Sequence, residues 1–252
     1  MEKYNTEIFG SSLAGSKYVA EKIKALIELN DSKGVSTVLG LATGSTPVIM
    51  YKELIRMHKE DGLSFQNVIS FNLDEYSPMQ PESEDSYWYF MHENLFNHID
   101  IKAENINVPK GTLSDDDVST YCNDYEAKID AAGGLDIQIL GIGRTGHIGF
   151  NEPGSPEESI TRQVTLNQIT LDDAAPSFGG VENVPTKAIT MGVATVLKAK
   201  TIYLMAYGSG KSEIVSETLT SDITSQVPAT FLQNHNNTIF VLDNEASSLL
   251  PT

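Results

Sequence analysis

Two adjacent acids of this sequence stand where a general base could act. Asp74 and Glu75 directly follow a short apolar run, VISFNL (68–73). Burying two neighbouring carboxylates is costly without a purpose, so one of them is a candidate for proton transfer, with its pKa influenced by the other. A loop acid that caps the next element explains the same residues equally well.

A histidine and a third acid share one glycine-rich segment, GIGRTGHIGFNEPG (141–154). So many glycines, beginning with Gly141, indicate backbone that is held close to a small ligand. In such a segment the carboxylate of Glu152 can orient the imidazole of His147 for proton transfer. Histidines are more often structural than catalytic, but this setting favours a catalytic interpretation.

Two nucleotide-binding motifs are approached but not matched. The glycine-rich segment begins as G-x-G-x-x-G, yet Gly149 and Pro153 oppose the helix that this motif must open, and residues 159–165 contain no acid. GSGKS (208–212) lacks the first glycine of a P-loop, because that position is Met205. The sequence therefore predicts neither a nicotinamide cofactor nor a P-loop.

Two segments nevertheless suit a bound phosphate. ATGSTP (42–47) precedes a helical pattern, so its hydroxyls and free backbone N–H groups can hold an anion, although a plain strand–turn–helix connection is an equally good interpretation. The candidates there are Thr43, Gly44, Ser45 and Thr46. Lys211 stands at another helix start and is either a phosphate ligand or a surface lysine.

The elements that must position these segments are short apolar strands separated by helices. Strands are predicted at Thr37–Ala42, Val68–Leu73, Ile137–Ile142, Thr201–Ala206 and Thr238–Leu242, and helices at Leu13–Leu29, Pro47–Lys59, Val118–Ile129 and Ser212–Leu219. The alternation predicts an α/β fold with a doubly wound, mostly parallel sheet. Ligands bind such sheets at the carboxyl ends of strands, where all four segments stand.

Composition limits the other possibilities. The 252 residues, 40% of them hydrophobic, predict a single domain spanning 1–252. The net charge, 17 − 34 = −17, disfavours nucleic acid and anionic membrane surfaces as partners. We expect a cytoplasmic protein, since no apolar run is long enough to span a membrane, no secretory signal is seen and Cys122 is the one cysteine.

Metal binding is not predicted either. The five histidines form no H-E-x-x-H motif, and no cysteine pair exists. The acidic run SDDD (114–117) is interpreted as a helix start, with Ser114 as the N-cap. The aromatic cluster YWYF (87–90) is interpreted as core or interface packing.

Taken together, the strand-end motifs resemble the glucosamine-6-phosphate deaminase family. The resemblance extends from about residue 36 to 245 and is carried by LGLATGSTPVIMYKEL (39–54), FNLDEY (71–76), SYWYFMHENLF (86–96), GIGRTGHIGFNEPGS (141–155), VPTKAITMGVATVL (184–197) and GSGKS (208–212). It implies a Rossmann-like fold without a nicotinamide, metal or organic cofactor. It also implies conversion of glucosamine 6-phosphate and water to fructose 6-phosphate and ammonia.

The resemblance implies roles for individual residues. Asp74 matches the base that moves a proton between C1 and C2, and His147 matches the group that opens the pyranose ring. Glu152 matches the carboxylate that supports this histidine. Lys211 and the loop 43–46 match the phosphate cradle, and Gly141 lies in the matching substrate loop. The implied partner is a small amino-sugar phosphate.

The sequence departs from the family in three places. Thr145 stands where many members have an acid or asparagine, so we expect Glu152 to take more of the support of His147. No arginine occurs at 173–178, where many members bind the phosphate, which leaves Lys211, backbone donors, Arg144 or a different substrate as explanations. Val164 and Pro156 replace a lysine and a serine of the effector site; Arg162 alone matches it, and we expect little or no activation by N-acetylglucosamine 6-phosphate.

Other functions remain open at this point. A galactosamine-6-phosphate deaminase/isomerase shares the architecture and most of the chemistry. A 6-phosphogluconolactonase resembles the glycine-histidine loop but continues it differently, and a catalytically inactive sugar-phosphate-binding regulator would keep the fold. Family members range from monomers to hexamers, so a homo-oligomer is compatible with the sequence. Residues 155–183, with weak periodicity, are hypothesised to form a mobile lid.

Overall fold

Parallel strands with helices between them account for most of residues 5–251, which this computed structural model describes. The strands are β1 (Asn5–Phe9), β2 (Thr37–Leu41), β3 (Val68–Asn72), β4 (Asp74–Ser77), β5 (Ile106–Asn107), β6 (Ile137–Leu140), β7 (Arg162–Thr165), β8 (Lys187–Thr190), β9 (Thr201–Ala206) and β10 (Thr238–Asp243). The helices are α1 (Ser12–Ser32), α2 (Val48–Asp61), α3 (Tyr87–Asn94), α4 (Asp115–Ala131), α5 (Gln168–Ala174), α6 (Val193–Leu197) and α7 (Ser212–Thr220).

The central sheet has seven strands in the order β1-β10-β9-β6-β2-β3-β5, and all of its pairings are parallel. The chain builds outward from β2 to β3 and β5, and then from β6 to β9 and β10 on the other side. The strand order therefore reverses between β2 and β6. Loops leaving two such strands diverge and open a crevice at their carboxyl ends, which is where open α/β sheets bind ligands.

A second, smaller sheet flanks this crevice. It contains β4, β8 and β7 in that order, with antiparallel pairing throughout. β4 begins one residue after Leu73, whose backbone N–H donates to the carbonyl of Leu41 at the end of β2. The small sheet therefore presents the start of β4, including Asp74, at the carboxyl edge of the large sheet.

The core explains why the long helices form where they do. α1 buries Val19, Ile23 and Ile27, which recur every four residues and so form one apolar stripe against the sheet. Ser11 caps its N-terminus by accepting a hydrogen bond from the backbone N–H of Ala14. β2 and β10 are buried at every residue, as expected for strands covered on both faces.

The predicted Rossmann-like, doubly wound and mostly parallel α/β architecture is confirmed, and all five predicted strands are present. Four of the seven helices lie where periodicity indicated. α4 begins at Asp115 behind Ser114, although the Ser114 hydroxyl donates to the Asp117 carboxylate instead of accepting from the backbone. The bounds 1–252 for a single domain stay a prediction. None of the helices in residues 5–251 has the length and hydrophobicity that a membrane span requires.

Candidate active site

A cavity of about 240 Å³ opens at the carboxyl edge of the large sheet, where the strand order reverses. Thr43, Gly44, Ser45 and Thr46, from the loop after β2, form one wall. Asp74, Gly141 and His147 line the rest, together with residues that the sequence did not indicate. Pockets for drug-sized ligands start at about 300 Å³, so this cavity suits a small metabolite.

The loop after β2 has the form of an anion site. It leads directly into α2, whose N-cap residue, Pro47, makes no side-chain capping hydrogen bond. The first backbone N–H groups of a helix have no partner within the helix, and the residues just before this helix, which include the hydroxyl-bearing Thr43, Ser45 and Thr46, line the cavity. The helix dipole adds partial positive charge at the same point, so this wall favours a phosphate.

Lys211 is not among the residues that line the cavity, but it contacts one of them. Its Nζ donates to the carbonyl oxygen of Ile142, a cavity-lining residue, at 2.8 Å. Burial lowers the pKa of Lys211, and the charge of Asp173 opposes that shift. Arg144, one of the suggested replacements for the absent arginine, is instead exposed and ion-paired with Asp173 at 3.0 Å.

Asp74 is placed as a base with unusually high proton affinity. It is 5% exposed and sits on β4 opposite Thr190 of β8. Burial raises its pKa to about 8, and the charge of Glu75 adds to the shift. Gly149 leaves room for its carboxylate, since a Cβ there would lie 3.2 Å from Oδ2 and the φ of +56° is one that side chains rarely adopt.

His147 is placed as a neutral imidazole. Its Nδ1 lies 3.0 Å from Oγ1 of Thr145, which fixes the orientation of the ring. Burial lowers its pKa to about 4, and the charge of Lys211 lowers it further. Gly143 packs directly on the ring, because a Cβ at that position would lie 2.0 Å from Cε1.

The structure corrects the expectation for Glu152. Its carboxylate accepts hydrogen bonds from the backbone N–H of Asn167, at 2.9 Å, and from the hydroxyl of Thr170. These groups belong to the start of α5, so Glu152 holds that helix to the glycine-rich loop. Within residues 5–251 no hydrogen bond or ion pair joins it to His147, and Thr145 alone supplies the expected support. The neutral threonine orients the ring without adding charge.

Tyr87 is the main cavity residue that the sequence interpretation missed. It is the first residue of α3, lines the cavity and shares side-chain hydrogen bonds with Thr43 and Tyr76. Burial raises its pKa well above the usual range, so it is a neutral phenol. Four consecutive aromatic or large residues give no signal of which one faces a cavity, which is why the cluster was interpreted as packing.

Arg162 and the possible metal ligands complete the description of the site. Arg162, which matches one effector residue of the family, donates to Oδ1 of Asn151 at 2.9 Å and to Oγ of Ser155 at 3.3 Å. Within the described range, 5–251, no group of three or more histidine, cysteine, aspartate or glutamate side chains is arranged to hold a metal ion.

Comparison with known proteins places this site in a family. A sequence profile described as glucosamine-6-phosphate isomerases/6-phosphogluconolactonase matches residues 12–241. The chain belongs to this family of sugar-phosphate enzymes. The matched range includes every proposed site residue from Thr43 to Lys211.

Individual members of the family are similar over nearly the whole chain. A glucosamine-6-phosphate deaminase from Thermoanaerobacter sp. (strain X514) is 48% identical over 236 residues, covering 94% of this chain and 91% of that protein. The solved structure of a monomeric glucosamine-6-phosphate deaminase has a TM-score of 0.93 and 39% identity, covering 98% and 100% of the two chains. A 6-phosphogluconolactonase from Trypanosoma brucei has a TM-score of 0.79, covers all of both chains and is 20% identical, which shows the shared fold alone.

Proposed function

We propose that this chain is an enzyme that converts glucosamine 6-phosphate and water to fructose 6-phosphate and ammonia. The observation that carries the proposal is that Asp74 and His147 line one cavity together with a loop that has the form of an anion site. The high identity to proteins named glucosamine-6-phosphate deaminase supports the same substrate. A cytoplasmic location goes with the proposal, because the substrate is a phosphorylated sugar held inside cells.

Contacts with the phosphate group fix the orientation of the bound sugar. The phosphate is received by the N-terminus of α2, by the hydroxyls of the loop 43–46 and by Lys211. These donors compensate for the arginine that many relatives place at 173–178. With the phosphate fixed by this loop, C1 and C2 of the sugar can reach Asp74 and His147, which line the rest of the same cavity.

Ring opening is assigned to His147. As a neutral imidazole it can take the proton of the C1 hydroxyl and pass that proton to the ring oxygen as the C1–O5 bond breaks, which gives the open-chain aldehyde. Thr145 keeps Nδ1 occupied, so Nε2 is the atom that exchanges protons. Because the pKa of His147 is near 4, the imidazole stays in this neutral form throughout the physiological range.

The isomerisation is assigned to Asp74. Its carboxylate removes the proton from C2 and returns it to C1, by way of an enolamine. O1 gains the proton that the amine gives up, so C1 becomes a primary alcohol and C2 an imine. Water then adds to C2, and the amine leaves as ammonia, so the atoms of substrate and water are all accounted for. A carboxylate with a raised pKa is well suited to removing a carbon-bound proton, because its ionised form is a stronger base.

Two siblings share enough of this geometry to be tested beside it. A galactosamine 6-phosphate would present the same phosphate, C1 and C2, and the absent arginine keeps it in consideration. A 6-phosphogluconolactone would need only the histidine and the phosphate wall. The buried base Asp74 favours the deamination, since lactone hydrolysis moves no proton between carbon atoms.

Ammonia release decides among these reactions. Purified protein is supplied with glucosamine 6-phosphate or galactosamine 6-phosphate, and hydrolysis of 6-phosphogluconolactone is assayed in parallel. We expect ammonia from the gluco substrate and its loss in Asp74→Asn, whose amide keeps the size of the side chain. Ammonia from the galacto substrate alone would move the assignment to the sibling. Tight sugar-phosphate binding without any turnover would indicate a regulator instead.

A further inference from the structure

The second acid of the Asp74-Glu75 pair has no part in the reaction proposed above, yet it is equally buried. Glu75 is 2% exposed and lies on the opposite face of β4 from Asp74, as adjacent strand residues do. A carboxylate in such a place must be compensated by hydrogen bonds or neutralised.

Burial raises the pKa of Glu75 to about 7, and three backbone N–H groups that donate to its carboxylate oppose this shift. Oε1 accepts from the N–H of Tyr76 at 2.9 Å and of Tyr87 at 3.1 Å, and Oε2 accepts from the N–H of Trp88 at 3.0 Å. Tyr87 and Trp88 are the first two residues of α3, which has no acid of its own in the first turn. The carboxylate thus satisfies two free donors at the positive end of the helix.

This anchor has a consequence at the active site. The residue that it fixes, Tyr87, is the one that lines the cavity and hydrogen-bonds to Thr43 of the phosphate loop and to Tyr76 of β4. The Tyr87 ring also stacks on Phe150, another cavity residue, at 6.0 Å between centroids. One carboxylate therefore holds the strand that carries the base and the helix that forms the neighbouring wall.

The charged surroundings are asymmetric. Around Asp74 the titratable groups are the neighbouring acid, His147 across the cavity, and three neutral phenols; these are Tyr76, Tyr87 and Tyr125. Glu75 borders a separate cavity of about 320 Å³ with Lys110, an exposed cation, and Tyr121. Asp85 lies near Tyr76. Glu75 is therefore the only other carboxylate among the described groups that act on Asp74.

We propose that Glu75 is a positioning residue for the deamination: it fixes the Tyr87 phenol on the cavity wall, and its negative charge strengthens Asp74 as a base. The inference rests on the function proposed above. The two effects depend on different properties of the side chain. The hydrogen bonds depend on its length, and the effect on Asp74 depends on its negative charge. Conservative variants can therefore separate them.

Glu75→Gln removes the charge and keeps the length and the acceptor oxygen for Tyr76 and Tyr87, losing only the bond from the Trp88 N–H. Glu75→Asp keeps the charge and shortens the reach. We expect Glu75→Gln to move the acid limb of kcat/KM about one pH unit lower, because the ionised form of Asp74 no longer faces a like charge. Glu75→Asp should leave that limb in place and lower kcat about tenfold, by loosening the helix that carries Tyr87. Glu82→Gln, an exposed acid just before α3, is the matched control and should change neither.

A second variant tests the route through the helix. Tyr87→Phe should lower kcat by itself, and Glu75→Asp should add little further loss in its presence if both act through the phenol. Additive losses would contradict the positioning role. A cap that served stability alone would lower Tm in Glu75→Asp while leaving the pH profile unmoved in Glu75→Gln, and that pair of results would overturn the proposal.

A measurement without turnover keeps the test independent of the proposed reaction. In wild-type protein labelled with ¹³C at aspartate carboxyls, the Asp74 resonance is assigned by its absence in Asp74→Asn. We expect it to titrate in two steps, because its charge and that of Glu75 are coupled. A single step would overturn the proposal, even if Glu75→Gln did not fold. If wild-type protein releases no ammonia but the two steps appear, the proposed function fails and the coupling stands.

Linkage gives a third readout. A carboxyl whose pKa is raised on folding contributes stability that is present below its unfolded value and is lost as pH rises through its folded value. The Tm of wild type should therefore fall relative to Asp74→Asn as pH rises from 3.8 to about 8. Adding Glu75→Gln to both proteins should narrow this difference, and an unchanged difference would count against the charge effect.

Discussion

The two proton-transfer groups of the cavity reach the same charge state by opposite routes. Burial raises the pKa of Asp74 to about 8 and lowers that of His147 to about 4, so both are mostly neutral at pH 7. Asp74 lies on a strand that is paired along its length, whereas His147 lies on a glycine-rich loop. Burial thus brings the pKa of Asp74 close to neutral pH and moves the pKa of His147 well below it.

The neighbours of the two groups increase this difference. Asp74 has a like charge beside it in Glu75, while His147 has a neutral hydroxyl from Thr145 and a cation in Lys211. Burial is the larger cause on both sides; a neighbouring carboxylate adds to it at Asp74, and a neighbouring cation adds to it at His147, whose ring is also oriented by a hydroxyl. Variants on the two sides should fail in different ways.

The largest effect is expected on the base side. Asp74→Asn should lower kcat by about 10³-fold, because no other described group is placed to move the C2 proton, and general acid–base groups contribute about 10²–10⁴. His147→Asn should cost less, about 10²-fold, since hexose rings also open without help. Steady-state kinetics with glucosamine 6-phosphate measures both, with circular dichroism to check folding. Equal losses would remove the distinction between the two sides.

The pH dependence of kcat/KM should reflect the ionisation of Asp74 and not that of His147. Below about pH 8 the free enzyme holds a proton on Asp74, so kcat/KM should fall about tenfold per pH unit, or about 10²-fold by pH 6. His147 is neutral across this range and should add no limb. Initial rates between pH 5.5 and 9 test this, and a kcat/KM that stays level from pH 8 down to 5.5 would show that Asp74 is not the controlling group.

Packing should matter most on the histidine side. Gly143→Ala places a methyl group within 2.0 Å of the imidazole, so the ring must move and kcat/KM should fall by between about 10 and 10²-fold. Gly10→Ala, where an added Cβ meets nothing within 4 Å, is the control and should leave kcat/KM unchanged. Full activity in Gly143→Ala would mean that the imidazole position is not critical.

The smallest effects concern the support of His147. Thr145→Val removes one hydrogen bond, worth about 1 kcal/mol, and should lower kcat about fivefold. Glu152→Gln should have less effect on kcat and should mainly lower Tm, because its contacts are with the start of α5. Measuring Tm by thermal melting and kcat from initial rates for both variants tests this ranking. A greater loss of kcat in Glu152→Gln would restore the original assignment of that carboxylate to His147.

Much of the fold was accessible from the sequence because buried parallel strands are continuous apolar runs. The strands that sequence reasoning missed are short or polar. β4 reads DEYS and β7 reads RQVT, and both belong to the small sheet, where pairing with β8 outweighs local preference. β1 was missed because NTEIF gains its structure from pairing with β10, more than 230 residues along the chain.

The sequence predicted those parts of the site that stand at the carboxyl ends of adjacent parallel strands. Seven of the ten proposed residues line one cavity, since the carboxyl ends of β2 and β6 are neighbours in the sheet. The partner of Glu152 was not predictable, because Asn167 and Thr170 lie 15 and 18 residues away in a stretch of weak periodicity. Whether that stretch moves as a lid, and whether Arg162 mediates any effector response, stay predictions.

Because the strand order reverses between β2 and β6, the proposed site residues come from two separate halves of the sequence. Residues up to the exposed turn at Gly133 contribute the loop 43–46 and Asp74, and those after it contribute His147 and Lys211. A chain cut at that turn would yield two fragments, each with half of the cavity and one of its two proton carriers. Turnover by the pair would then require their reassociation.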